Sequence, residues 1–235
     1  ITSEWSKEFK NIEDKNSEPM YYENLPFRFD TRGIIYNKRS HVYKVNIQTK
    51  KFTKIVDGDA KDIISIESLV EGDKGLVLSF DQYNSKGTML EEKIGAIEGS
   101  KIKEIYSQGS MGNLFYYEDG LHAVGMRKRF DWPTNTTVLK ISKAGKVSFK
   151  YHSFDRNVVK AEVNESILYF LYEDSGKTLL RDGTNNIDLI NSEVTIKDFA
   201  FNNEQTFVIA NSFSNPDEIY ELNNGCLLYT SDAAD

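Results

Sequence analysis

The stretch from Ser192 to Gly225, SEVTIKDFAFNNEQTFVIANSFSNPDEIYELNNG, constrains the fold more than any other. It reads as three strands separated by two breaks. Val194–Phe201 alternates, with Val194, Ile196 and Phe199–Phe201 as its apolar members. Asn202–Gln205 is wholly polar and turns the chain. Thr206–Ala210 is a short apolar run that suits a strand buried on both faces, Ser212–Pro216 is loop, and Glu218–Leu222 alternates again. Three such strands make three-quarters of a four-stranded propeller blade, so the chain is expected to stop before this repeat is finished. On this reading Glu218–Leu222 is left as an unpaired edge, blunted by Asp217, Glu218 and Glu221.

The same pattern recurs upstream. Val42, Val45 and Ile47 mark one strand of a hairpin in Ser40–Val56, Gln48–Lys50 its turn, and Phe52, Ile55 and Val56 the return. A second unit holds Ile63–Leu69, Leu76–Phe80, a loop over Asp81–Leu90, Lys93–Ile97 and Ile102–Tyr106. A third holds Asn113–Tyr117, Leu121–Arg127, Thr137–Ile141 and Val147–Tyr151. A fourth holds Val158–Val163, Ile167–Tyr172, Thr178–Arg181 and Ile187–Ile190. Starts near Asp62, Met111, Asn157 and Val194 repeat every roughly 37 to 49 residues, the range of four-stranded blades. A lone blade buries too little to stand, so the blades must stack. Second strands then need apolar side chains on both faces, as in Leu76–Phe80, Leu121–Gly125, Ile167–Leu171 and Thr206–Ala210, whereas outer strands carry charge. The spacing predicts an all-β chain with a partial β-propeller of about four blades over 25–225. The repeats span 25–57, 62–106, 111–152, 157–191 and 194–225. Residues 1–24 stand apart: Trp5, Phe9 and Ile12 fall at helical spacing behind Ser3 as N-cap, which suits a short helix or structured insertion.

Composition narrows the function classes. The chain has 235 residues, 39% hydrophobic and 12% aromatic, and a net charge of −7 with no basic face, which argues against nucleic acid. No apolar run is long enough to span a membrane. The single cysteine, Cys226, opens the segment CLLYTSDAAD over 226–235, which resembles the in-frame translation of a transposase adapter used in sequencing libraries. The alternative for the same residues is an ordinary strand over Leu227–Thr230. With the segment read as non-native, the remainder has no cysteine, which fits a reducing compartment such as the cytoplasm.

Three segments carry a family likeness. Phe154-Asp155-Arg156-Asn157-Val158 opens a blade, Asn211–Leu222 (NSFSNPDEIYEL) closes the last one, and Leu25–Val45 contains PFRFD followed by RSHVYKV. In this order they resemble the propeller of the prolyl oligopeptidase family of serine peptidases, nearest its acylaminoacyl-peptidase-like branch. The resemblance covers about residues 25–225. It implies a seven-bladed propeller capping an α/β-hydrolase domain with a Ser-Asp-His triad, of which this chain is the second half of the propeller without the catalytic domain.

The residues offer little chemistry of their own. No G-x-S-x-G elbow is present, since Gly109-Ser110-Met111-Gly112 lacks the spacing. His41, His122 and His152 lie far apart in the sequence, without ligands at metal spacing. Ser175-Gly176-Lys177-Thr178 ends like a phosphate-binding loop, but Leu171 stands where its first glycine belongs, and a strand-connecting turn explains it. Asp57-Gly58-Asp59 reads as a turn, not a calcium loop. No metal or other cofactor is expected. Two charged groups are candidates for the substrate chamber or a domain interface: Arg127 and Arg129 in RKRFDW, and Asp155 and Arg156 at a blade start. An arginine there would bind a peptide carboxylate or pair across the interface; alternatively Asp155 and Arg156 pair locally and fix a blade junction.

The expected function is that of a lid. The propeller restricts access to a buried triad, so that short or N-blocked peptides reach it, and this chain by itself has no hydrolase activity. Its partners are then the peptide substrate and the α/β-hydrolase domain of the same polypeptide, with neither nucleic acid nor membrane. A non-catalytic WD-like scaffold propeller is the rival reading.

Overall fold

The computed structural model describes residues 21–229 except 24, 30–32, 36–39, 57–62, 73–74, 119, 128–133, 151–153, 191–192, 203–204 and 224. The expected N-terminal helix, Arg129, His152 and Asp57-Gly58-Asp59 all lie outside the described residues. Every described element is a strand. No helix among the described residues is long and apolar enough to cross a membrane. The chain divides into two compact units, Ile1–Gly109 and Ser110–Asp235.

In the first unit, β1 (Arg28–Phe29) and β2 (Gly33–Ile34) form a short hairpin, as do β3 (Tyr43–Val45) and β4 (Phe52–Lys54). A four-stranded antiparallel sheet follows: β5 (Ile63–Gly72), β6 (Gly75–Tyr83), β7 (Leu90–Glu98) and β8 (Lys101–Tyr106). Leu78 and Phe80 of β6 pack with Ile63 and with Val42 and Val56, which flank the β3–β4 hairpin. A second cluster joins Ile35, Ile64, Tyr83 and Leu90. The Tyr83 hydroxyl donates to the Pro26 carbonyl at 2.6 Å and the Leu25 amide donates to the Gly87 carbonyl at 2.7 Å, fastening the first described residues to this sheet.

The second unit holds three four-stranded antiparallel sheets, each in simple chain order. The first is β9 (Ser110–Tyr117), β10 (Gly120–Met126), β11 (Thr137–Ile141) and β12 (Val147–Phe149). The second is β13 (Val158–Asn164), β14 (Ile167–Asp174), β15 (Lys177–Asp182) and β16 (Ile187–Asp188). The third is β17 (Thr195–Asn202), β18 (Gln205–Asn211), β19 (Glu218–Asn223) and β20 (Cys226–Tyr229). Alternation along β14 produces the stacking. Leu168, Phe170 and Tyr172 enter a core shared with Phe115, Tyr117, Val124 and Val138 of the first sheet. Leu171 enters a second core with Ile196, Phe199, Val208 and Ala210 of the third. One strand thus feeds two interfaces, which is why its run ILYFLY shows no polar face.

One-residue bulges interrupt the first strand of each four-stranded sheet, at Ile64 and Glu67 in β5, Asn113 in β9, Val159 in β13 and Lys197 in β17. An extra residue there sharpens the local twist. Side chains reach across from these strands. The Asn113 carboxamide oxygen accepts from the Ala161 amide. Lys160 pairs with Asp198 at 2.6 Å, donates to the Phe199 carbonyl at 3.0 Å and lies 4.7 Å from the centre of the Phe199 ring.

Several boundaries differ from the sequence reading. The second strands are longer: β6 runs on to Tyr83, so the loop expected over Asp81–Leu90 shrinks to 84–89. The expected unfinished last repeat is corrected outright. Cys226–Tyr229 pairs with β19, with Leu222 opposite Leu227 and Asn223 opposite Cys226, so β19 is not the edge strand. Gly225, at φ 78°, supplies the turn, and Leu227 packs on the apolar core of the third sheet. The open ladder of β19 and an apolar residue in the right phase suffice for pairing, whatever the origin of the segment.

Candidate functional site

In an antiparallel sheet in chain order, the loop joining its second and third strands shares an end with the connection leading to the next sheet. Arg127, just after β10, Asp155 and Arg156, just before β13, Ser175–Gly176 between β14 and β15, and Glu193 before β17 therefore gather at one end of the second unit. Of the four candidate residues, the structure describes three at this end; Arg129 lies outside the described residues.

Arg156 is the centre of the cluster. Its Nε donates to the Asp174 carboxylate at 2.8 Å and its Nη1 to the Asp155 carbonyl at 2.6 Å. The Asp155 carboxylate is taken instead by Asn135 Nδ2, at 3.0 Å. The junction is fixed, though not by the side-chain pair of Asp155 with Arg156. The next residue continues the clasp: Asn157 Oδ1 accepts from the Thr136 amide at 3.2 Å and its Nδ2 donates to Glu173 at 3.2 Å. Thr136 Oγ1 donates to the Val158 carbonyl at 2.7 Å. The loop after β10 is thereby sewn to the start of β13. Lys177 bonds Glu193 at 2.6 Å and repeats the arrangement at the next junction.

The electrostatics follow from these pairs. The hydrogen bond from Arg156 holds the Asp174 carboxyl below its ordinary range, and the same bond raises the guanidinium. The hydrogen bond from Lys177 likewise holds Glu193 down. All are solvent-exposed pairs, whose contribution to stability is small. Arg127 is exposed and its guanidinium carbon sits 5.4 Å from the centre of the Phe149 ring, a stacking contact beside the same junction. A groove of about 490 Å³ opens between Arg156, Glu173, Asp174, Lys177 and Thr178. Arg156 and Lys177 are each engaged in an ion pair, with Asp174 and Glu193, and Glu173 takes the Asn157 carboxamide, so the rim is of mixed charge.

Ser175 and Gly176, at φ 51° and 78°, form the tight turn of the β14–β15 hairpin. Two left-handed residues suit the right-handed twist of the flanking strands, which accounts for the phosphate-loop-like SGKT. Among the described residues no three His, Cys, Asp or Glu side chains gather to hold a metal ion.

Asp174 and Asn135 were not among the site candidates from the sequence, and Asn157 entered only as part of the segment that opens a blade. A signal for Asp174 existed. With Val158 opposite Tyr172 in the β13–β14 register, two residues outward on each strand place Arg156 opposite Asp174. The link from Asn135 to Asp155 depends on a long loop and has no comparable signature.

Comparisons with known proteins bear on the fold. No family model matches the sequence, and no curated protein does. Among solved structures, an acylaminoacyl peptidase from Pyrococcus horikoshii superposes with a TM-score of 0.69 over 92% of this chain and 34% of its own, at 13% identity. An acylaminoacyl peptidase in complex with Z-Gly-Gly-Phe-chloromethyl ketone gives the same score over 92% of this chain and 35% of its own, at 13% identity. The β-propeller domain of the Trilobed protease from Pyrococcus furiosus matches with a TM-score of 0.56, over 83% of this chain and 74% of its own, at 14% identity. The chain thus spans about a third of the length of the two peptidases. Four-stranded sheets in chain order, a second strand shared between two cores and this likeness together give the fold: the chain is part of a β-propeller.

Proposed function

We propose that the chain is the propeller portion of a serine peptidase of the prolyl oligopeptidase family, serving as the lid that admits short or N-blocked peptides to a catalytic domain elsewhere in the same polypeptide, in the cytoplasm. The observation that carries this reading is the superposition of nearly the whole chain onto a third of an acylaminoacyl peptidase. The order of the segments around Phe154–Val158 and Asn211–Leu222 supports it. The paired charges at the rim described above suit a face that meets another domain, where Arg127 and Arg156 would be the interface cations.

The test is sequencing across the codon for Gly225 from unfragmented source DNA. The expected result is a reading frame that leaves CLLYTSDAAD behind and continues into a domain with a G-x-S-x-G elbow followed by its Asp and His partners. A frame that keeps those ten residues and then stops would contradict the peptidase reading and favour a scaffold propeller.

A further inference from the structure

His122 is completely buried on β10, two residues from Val124, which enters the core between the first two sheets of the second unit. It sits on β10 opposite Phe115 of β9 and Lys140 of β11. The Phe115 ring stacks on the imidazole at 5.7 Å and the Tyr117 ring meets it edge-on at 5.7 Å. Phe115 and Tyr117 in turn pack on Ala161, Leu168 and Phe170 of the second sheet. A carbonyl only accepts, so the 3.0 Å contact with Gly120 makes Nδ1 the protonated nitrogen. Nε2 is then a bare acceptor, and among the described residues it has no hydrogen-bond partner.

We propose that His122 is an acid-sensitive lock on this interface: protonation of Nε2 turns the imidazole into a cation in an apolar core and loosens β9–β12 from β13–β16.

The surroundings favour the neutral ring. The charged groups that act on it are Lys150 beyond β12, Lys140 from β11 and Glu118 from the β9–β10 turn. The Lys140 stem crosses over Gly120, where an added Cβ would stand 2.8 Å from Lys140 Cε. Lys150 Nζ lies 4.8 Å from the Tyr117 ring centre and is bonded to Glu118 at 2.8 Å, so the anion that acts on the ring among the described residues is already engaged. Burial is the main cause that lowers the imidazole pKa, opposed by the Gly120 carbonyl and aided by Lys150 and Lys140. An opened or unfolded chain holds a histidine at about 6.5. As pH falls below that value the open form binds a proton that the closed form refuses, and closure weakens. Carboxylates titrate near 4, which leaves a window where histidine acts alone.

Hydrogen exchange of the full chain at pH 7.5 and 5.5, corrected for intrinsic rates, tests this. The expected result is a several-fold loss of protection in β10, β13 and β14 at pH 5.5, reversed on return to 7.5, with no such loss in His122→Phe. Equal pH dependence in both chains, or none in the wild type, would overturn the proposal. If His122→Phe does not fold, the imidazole resonances of the wild type decide. Expected is a ring that stays neutral until the interface opens; free titration at the ordinary histidine value with protection retained would overturn the lock.

Discussion

β14 and β18 hold the same place in consecutive repeats, second strand of four, yet they live in different surroundings. Each faces the preceding sheet with its even-numbered residues: Phe170 and Tyr172 in one, Val208 and Ala210 in the other. The odd-numbered residues differ. Leu171 is covered by the third sheet and is 1% exposed. Ile209, its counterpart one bulge-pair along, looks outward beside Ile219 and Phe207, with Leu228 farther along the same face. Ile219 is 55% exposed and Leu228 47%. An apolar residue at the same place is fully buried in one repeat and half-buried in the next. The third sheet covers this face of β14, whereas no described sheet of the unit covers it on β18, and an uncovered apolar face of this kind promotes association.

The comparison can be broken most forcefully at Phe170, which is 1% exposed and meets Phe154 edge-on at 5.2 Å. Phe170→Ala should lower stability by about 3–5 kcal/mol, the cost of an aromatic-sized cavity; equilibrium urea unfolding measures it. Next is the staple between the first strands. Lys160→Met removes the bond to the Phe199 carbonyl and the pair with Asp198 but keeps the stem, and should cost about 1 kcal/mol. The smallest effect on stability is expected on the outward face. Ile219→Lys should leave the melting temperature unchanged while reducing self-association in analytical ultracentrifugation, because it interrupts the apolar patch without touching a core. At the rim, Arg156→Ala should leave the melting temperature unchanged too, since both partners of its pair are solvated.

The architecture was legible because propeller stacking writes itself into the sequence as double-sided apolar runs. ILYFLY at Ile167–Tyr172 and VIA at Val208–Ala210 stand out without any tertiary information. Other features leave a weaker trace. A bulge such as Val159 changes register by one residue and keeps the composition of a strand, so it cannot be told from regular alternation. For Cys226–Tyr229 the strand was only the alternative reading, because an open ladder accepts almost any short extended segment with one apolar residue in phase and the sequence does not show that it is taken. At the rim, Asp155 and Arg156 stood out as charged neighbours at a blade start and do bond locally, but through the Asp155 carbonyl, while their side-chain partners lie elsewhere. Neighbouring residues on an extended chain point to opposite sides, and Asp174 and Asn135 took their places. His122 carried no signal, since a histidine at a buried strand position looks like one at a strand edge.

The central claim is that stacking, repeat on repeat, makes these cores, and one matched pair of variants tests it. Leu171→Ala and Ile209→Ala each remove three carbons from equivalent positions, one beneath a following sheet and one not. Measured by urea unfolding of the same chain, Leu171→Ala should cost about 2–5 kcal/mol and Ile209→Ala roughly 1 kcal/mol or less, the value of partial burial. Equal losses at the two sites would contradict the account.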